Sequence, residues 1–354
     1  MSAPNMSDYA ATCRDYRLEV PPTFNFAYDV VDALAADPAR RALVCVDATA
    51  RQVDTYTFAD LKALSDRFAN ALRGLGLAKG DRVFVMVPRL VEFYVTMLAC
   101  HKLGLVPMPA ASILTPKDCA YRVQRAGARA AVVHAEHVHK LDAVAGECPT
   151  LTQRIAVRGT PDGWRGYDAL VAAASPALDR AALPATAADE PLLIYFTSGT
   201  TKLPKMVVQR HSYALAHSAT ARFWYDLRPE DLHWTLSDTG WAKFAWGKLY
   251  GPWSVGAAVV CHDQQGRFDA PRHLELIGRL GVTTFCAPPT AYRMLILEDL
   301  GPFDLSSLRH CTAAGEPLNP DVMRVWREAT GLTIYDGYGQ TETTNLIANF
   351  PCVP

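Results

Sequence analysis

Apolar positions along the chain switch repeatedly between two spacings. Arg82-Val-Phe-Val-Met-Val87 is a short, nearly continuous apolar run, which predicts a strand buried on both faces. Before it, Phe58, Leu61, Leu64, Phe68 and Leu72 recur every three or four residues, the mark of one apolar helical face. Thr57 and Asp60 stand at the spacing of a capping box at that helix's start. Thr115-Pro116 predicts a second helix start and Gly127 its end, and Ala130-Ala-Val-Val133 returns to strand. Further strands are expected near 192–196, 257–261, 282–286 and 309–313, most followed by a turn and a helical stretch. Repeated βα units of this kind predict an α/β fold with mainly parallel sheets covered by helices. Between 172 and 191 the chain turns to Ala, Pro and acidic residues. This predicts a first α/β subdomain over 1–175, a linker over 176–191, and a second subdomain over 192–354.

Composition narrows the picture. At 354 residues the chain exceeds the usual size of one core, in keeping with two associated subdomains. Half of the residues are hydrophobic and 20% are charged, as in an ordinary soluble globular protein. The net charge of −1 leaves no basic surplus for nucleic acid or an anionic membrane, so any phosphate site must be local. The nine cysteines include no C-x-x-C pair and several sit in apolar runs, which predicts reduced, mostly buried thiols. A reducing, cytoplasm-like compartment is the expectation. The first twenty residues lack the apolar stretch of a signal peptide, and the longest apolar run, near 253–261, is too short for a membrane span. His134, His137 and His139 read as loop histidines rather than metal ligands, and His211 reads as a helix start.

Chemistry concentrates in two segments. In Tyr195-Phe-Thr-Ser-Gly-Thr-Thr-Lys-Leu-Pro-Lys205, directly after an apolar strand, Thr197, Ser198, Thr200 and Thr201 supply hydroxyls around Gly199. Such a loop can cradle phosphate oxygens with backbone and hydroxyl donors, while Lys202 and Lys205 add positive charge. A solvated polar turn is the plainer alternative. The segment is neither a Walker loop nor a nucleophile elbow, because the required glycines are missing. The second segment comprises Ala314-Gly-Glu-Pro317 and Tyr335-Asp-Gly-Tyr-Gly-Gln-Thr-Glu342. Here Gly337 and Gly339 are expected to allow a tight bend, Tyr338 offers a face to a base, and Glu342 is a hard ligand suited to Mg²⁺. Taken alone, such a glutamate is more often a helix-start carboxylate favoured by the macrodipole.

Together the segments resemble the adenylate-forming superfamily, whose motif [YF]-T-S-G-[ST]-T-G-x-P-K corresponds to Phe196–Lys205 and whose Y-G-x-T-E corresponds to Tyr338–Glu342. The resemblance implies phosphate contacts from Thr197, Ser198, Gly199, Thr200, Thr201, Lys202 and Lys205. It places Gly315, Glu316, Pro317, Asp336, Gly337, Tyr338, Gly339 and Gln340 around the nucleotide, Thr341 on the α-phosphate and acyl carboxylate, and Glu342 on Mg²⁺. Lys205, Thr341 and Glu342 are the implied catalytic residues. Phe24–Ala27, Gly80–Val83, Met108-Pro109, Trp234–Trp241 and Ala287–Met294 extend the similarity to medium-chain acyl-CoA synthetases. That likeness makes Trp241 a candidate wall of the acyl and pantetheine channel, with a core aromatic as its alternative.

Lys202 and Met206 stand where the family usually has glycine. The sequence ends at Pro354, ahead of the family's ribose-binding aspartate and small-domain lysine. The expectation is therefore the large domain of an ATP-dependent acid–CoA ligase, taking ATP, Mg²⁺, CoA and a medium-chain fatty or aryl acid. A homo-oligomer is compatible with it. A non-catalytic nucleotide- or acyl-binding module and an aryl-acid ligase serving a carrier protein are the alternatives.

Overall fold

The computed structural model describes residues 3–197 and 203–353. In chain order the strands are β1 Arg41–Val46, β2 Val53–Thr57, β3 Arg82–Met86, β4 Val106–Pro109, β5 Ala130–His134, β6 Gln153–Val157, β7 Arg165–Gly166, β8 Pro191–Thr197, β9 Lys205–Arg210, β10 Leu232–Thr235, β11 Ala258–His262, β12 Thr284–Ala287, β13 His310–Ala314, β14 Ile334–Gly339 and β15 Asn345–Ala348. One sheet runs β15-β14-β13-β12-β10-β11-β1-β2, parallel except for its two outer strands. A second, all-parallel sheet runs β4-β3-β5-β6-β7. The mainly parallel α/β architecture expected from the apolar runs is present. Strands β8 and β9 depart from it, forming a separate antiparallel hairpin.

Local signals account for the helix ends. Thr57 and Asp60 form a reciprocal capping box for the helix Phe58–Gly74, and Thr115 and Asp118 do the same for Pro116–Ala126. The second helix stops at Gly127, whose φ of 61° is the left-handed conformation that glycine adopts without strain. Phe58, Leu61, Phe68 and Leu72 are fully buried on the predicted face.

Strand pairing does not follow the division at 176–191. β1 lies parallel to β11, so the segment 41–57 completes the sheet otherwise built by the second half of the chain. Periodicity finds a strand but not its partner, because pairing across two hundred residues is decided by packing. One apolar cluster joins Phe26, Phe93 and Tyr94 from the first half to Phe244, Tyr250 and Trp253 from the second. All nine cysteines are free thiols, six of them buried. Among the described residues no helix is long and apolar enough to cross a membrane.

Several histidines are buried as well. His211 does begin a helix, His211–Ala219, and burial lowers its pKa to about 4. His217 on the same helix is fully buried against Tyr213, Trp246 and Tyr250, and burial lowers its pKa to about 3. An unfolded histidine titrates near about 6.5. Below that pH the unfolded chain therefore takes up protons that the folded one refuses, and stability falls progressively as pH drops from about 6.5 toward 3. Melting temperature followed from pH 7.5 to 5 is expected to decline with acid, and His217→Phe should make the decline shallower. An unchanged slope in that variant would show that His217 is already protonated in the fold.

Candidate functional site

The order of the large sheet reverses between β10 and β12. The chain passes from β10 to β11 on one side, and from β12 through β13 to β14 on the other. In open parallel sheets such a reversal leaves a crevice beyond the carboxyl ends of the strands. Four segments emerge there: 236–241 after β10, Pro288-Pro289 after β12, Gly315-Glu316-Pro317 after β13, and the end of β14 at Gly339.

The second sequence motif lies on this rim. Ala313 pairs with Asp336 and Ala314 with Gly337, so Gly315–Pro317 emerges beside Gly337–Gly339. Gly315 turns the chain away with φ 107°, and Glu316 accepts hydrogen bonds from the Thr290 hydroxyl and the Arg293 guanidinium. Tyr338 is 53% exposed, leaving its ring free for a ligand. Asp336 accepts the Gly337 N–H at 3.0 Å, and burial raises its carboxyl pKa above the ordinary value. Gln340, Thr341 and Glu342 form the connection to β15, where the Gln340 N–H donates to the Thr343 hydroxyl at 2.9 Å. Glu342 is exposed on this turn. It starts no helix, which removes the macrodipole reading.

Thr197 and Lys205, which flank the first motif's hydroxyl segment, pair at the end of the hairpin where β8 leads on to β9. Ser198, Gly199, Thr200, Thr201 and Lys202 lie outside the described residues. Lys205 is exposed. Behind it, the Tyr121 hydroxyl donates to the Pro204 carbonyl at 2.9 Å and Arg122 lies over the Phe196 ring at 5.4 Å. These contacts seat the hairpin on the helix Pro116–Ala126. Gln209, buried on β9, then donates from Nε2 to the Thr341 carbonyl at 2.6 Å. That bond ties the strand leaving the first motif to the heart of the second.

Gly337 and Gly339 serve a purpose other than the expected bend. Both belong to an extended strand, and neither takes a left-handed φ. A Cβ at Gly337 would lie 2.4 Å from Cζ2 of Trp224, and one at Gly339 would lie 2.3 Å from Cη2 of Trp246. The glycines let the backbone lie against two indoles. Trp246 is in turn fixed by a 2.9 Å hydrogen bond from its Nε1 to the Tyr213 hydroxyl.

Trp241 is 58% exposed, at the start of the short helix Ala242–Phe244, so it is no core aromatic. Two residues on, Lys243 donates to the Ala314 carbonyl at 2.9 Å and so bridges the segment after β10 to the end of β13. Burial lowers the Lys243 pKa, against the opposing pull of Glu316 and Asp336. From the turn after β3 in the second sheet, Arg89 anchors the same segment, pairing with Asp238 at 3.0 Å and donating from Nε to the His262 carbonyl at 3.0 Å. Gln209, Trp224, Lys243, Trp246 and Arg89 were not singled out from the sequence. Only Lys243 carried a usable signal, its position two residues after Trp241.

Adding a methyl group at Gly337 forces either Trp224 or β14 to move. Gly337→Ala is expected to destabilise the protein by about 1–3 kcal/mol, the usual cost of overpacking a tight core. Calorimetric melting checks this, and combining it with Trp224→Phe should recover part of the loss. A Gly337→Ala protein that melts with the wild type would show that the indole is free to withdraw.

Comparison with known proteins gives a consistent result. The family model described as AMP-binding enzyme matches residues 31–353. Acyl-coenzyme A synthetase ACSM3, mitochondrial, from Mus musculus is 39% identical over 98% of this chain and 60% of its own length. Acyl-coenzyme A synthetase ACSM4, mitochondrial, from Homo sapiens is 38% identical over 97% of this chain, again covering 60% of its own length. The chain thus spans 60% of the length of these curated relatives. Among solved structures, Brucella canis acyl-CoA synthetase superposes with a TM-score of 0.88 at 28% identity, covering 99% of this chain and 65% of that one. The anthranilate CoA ligase AuaEII in complex with anthranoyl-AMP gives 0.84 at 28% identity, covering 94% and 63%. The mitochondrial names of the relatives overturn the cytoplasmic expectation. Reduced thiols report a reducing environment and do not say which compartment provides it. With one family model covering residues 31–353 and relatives 38–39% identical over nearly its whole length, the chain belongs to the AMP-binding enzyme family.

Proposed function

We propose that the protein performs, or forms the nucleotide-binding part of, an AMP-forming acid–CoA ligase. The observation that carries this reading is the Gln209–Thr341 hydrogen bond, which ties β9, the strand that follows the hydroxyl-rich segment in sequence, to the Tyr338–Glu342 turn. In the first half-reaction a carboxylate attacks the α-phosphorus of ATP, giving an acyl-adenylate and pyrophosphate. The CoA thiolate then attacks the acyl carbon and displaces AMP. Two anions meet in the first step, so the protein's task is to neutralise charge and align the attack.

In this reading Thr197, Ser198, Gly199, Thr200, Thr201, Lys202 and Lys205 receive the phosphates. Tyr338 offers its exposed ring to the adenine, with Gly315–Pro317 and Asp336–Gly339 bordering it. Thr341 meets the α-phosphate and the acyl carboxylate. Glu342 suits Mg²⁺, which is commonly held by one or two carboxylates together with substrate phosphates. When bound, Mg²⁺ supplies charge neutralisation at the phosphates. Lys243, fixed between Ala314 and the Asp336 side, adds a nearby positive charge to the same crevice.

A medium-chain fatty acid is the first substrate reading. The likeness to a ligase holding anthranoyl-AMP favours an aryl acid as the second. The test is to incubate the protein as it occurs in its source with ATP, Mg²⁺, CoA and panels of both acids. AMP, pyrophosphate and acyl-CoA are expected, and formation of ADP and phosphate would overturn the reading. Lys205→Ala should weaken ATP binding by about 1.5 kcal/mol, the low end for a charged hydrogen bond because the side chain is exposed. Calorimetric titration reads this as a roughly ten-fold rise in Kd.

Trp241 is the proposed wall of the acyl and pantetheine channel. Because the ring is exposed, Trp241→Ala should leave the melting temperature nearly unchanged while reordering the acids by kcat/KM. An unchanged ranking removes Trp241 from the channel.

A further inference from the structure

A pair of thiols lies outside the nucleotide crevice. Cys45 on β1 and Cys261 on β11 are register partners in neighbouring parallel strands, so their side chains leave the same face of the sheet side by side. Paired strands run about 4.8 Å apart. Disulfides span Cα separations of about 4.4–6.8 Å, so the backbone already stands within bonding range. Among the described residues no other two cysteines are partners across a strand pair; Cys286 faces Thr312, and Cys311 faces Phe285. The two sulfurs differ in access. Cys261 is fully buried, whereas Cys45 is partly exposed, one strand from the sheet edge at β2.

We propose that Cys45 and Cys261 form an oxidisable dithiol, a modification site at which hydrogen peroxide closes an intramolecular disulfide. Peroxide reaches the accessible sulfur first, and the Cys45 thiol becomes a sulfenic acid with release of one water. The Cys261 sulfur then attacks the Cys45 sulfur and expels hydroxide, which leaves as a second water with the Cys261 proton. Two thiols and one peroxide thus give one disulfide and two waters. The surroundings favour the second step. Burial works to raise both thiol pKa values. The shared hydrogen bond pushes Cys45 up and, with the buried Lys248 ammonium, holds Cys261 below the ordinary value. The pair thus carries its negative charge on Cys261, and access alone selects Cys45 for the first step. A thiolate is the attacking form.

The position gives the closure a consequence. Cys261 precedes His262, whose carbonyl receives Arg89, and Arg89 holds Asp238 in the segment after β10. A bond formed at Cys261 acts one residue from that anchor.

The test is peptide mapping of the full chain, treated with peroxide under native conditions, alkylated and digested with trypsin. The expected product links the peptide 42–51 to the peptide 249–267, two hydrogens lighter than the separate thiol peptides and released by a reductant. Cys45→Ser and Cys261→Ser should each abolish it. The wild-type map decides the matter even if a variant fails to fold. Alkylation of both cysteines after treatment, sulfinic acid on Cys45 without the link, or a disulfide between other cysteines such as Cys13 and Cys352 would overturn the proposal.

Discussion

The crevice depends on how closely the backbone of β14 lies against two buried indoles. At Gly337 and Gly339 there is no room for a Cβ, because Trp224 and Trp246 occupy the space. Both rings are themselves buried and held within the second half of the chain. The strand that carries the Tyr338–Glu342 motif is therefore seated directly on the core rather than on a layer of its own side chains. Interiors packed this tightly adjust little, so the motif inherits the rigidity of the core. Parallel pairing with β13 then brings Gly315–Pro317 alongside. Gln209 adds the hairpin to the same frame.

Charge is distributed in two ways. Arg309 illustrates the structural one: it binds Asp231 at 3.0 Å and Asp226 at 2.7 Å, leaving the three side chains mutually satisfied. The crevice instead keeps charges open. Lys243 donates to the Ala314 carbonyl, with Asp336 and Glu316 near enough to act on it without closing an ion pair. Glu342 and Lys205 are exposed. Of these charges only Lys243 is shielded from water, so it is the one that would meet an incoming charged ligand with little screening.

Arg89 connects the two sheets to this chemistry. From the turn after β3 it reaches Asp238, the carbonyl at the end of β11 and the segment that leads to Trp241. The two large sheets are thus joined by a side chain that also sets the rim of the crevice. A division of the chain into consecutive halves misses this, because β1 and β2 belong with the later strands.

By itself the sequence determined what depends on neighbours along the chain. Strand runs, the two capping boxes and the glycine stop at Gly127 were all legible, because their causes lie within four residues. So were the two motifs, whose residue types state their chemistry without reference to a partner. Tertiary structure decided what depends on distant neighbours. It set the antiparallel hairpin of β8 and β9, the entry of β1 into the large sheet and the exposure of Trp241. It also showed that Gly337 and Gly339 make room for indoles where a bend was expected. Gln209, Lys243 and Arg89 matter because of carbonyls and carboxylates up to 175 positions away. No local pattern encodes such a contact; it exists only once long-range packing has brought those segments together.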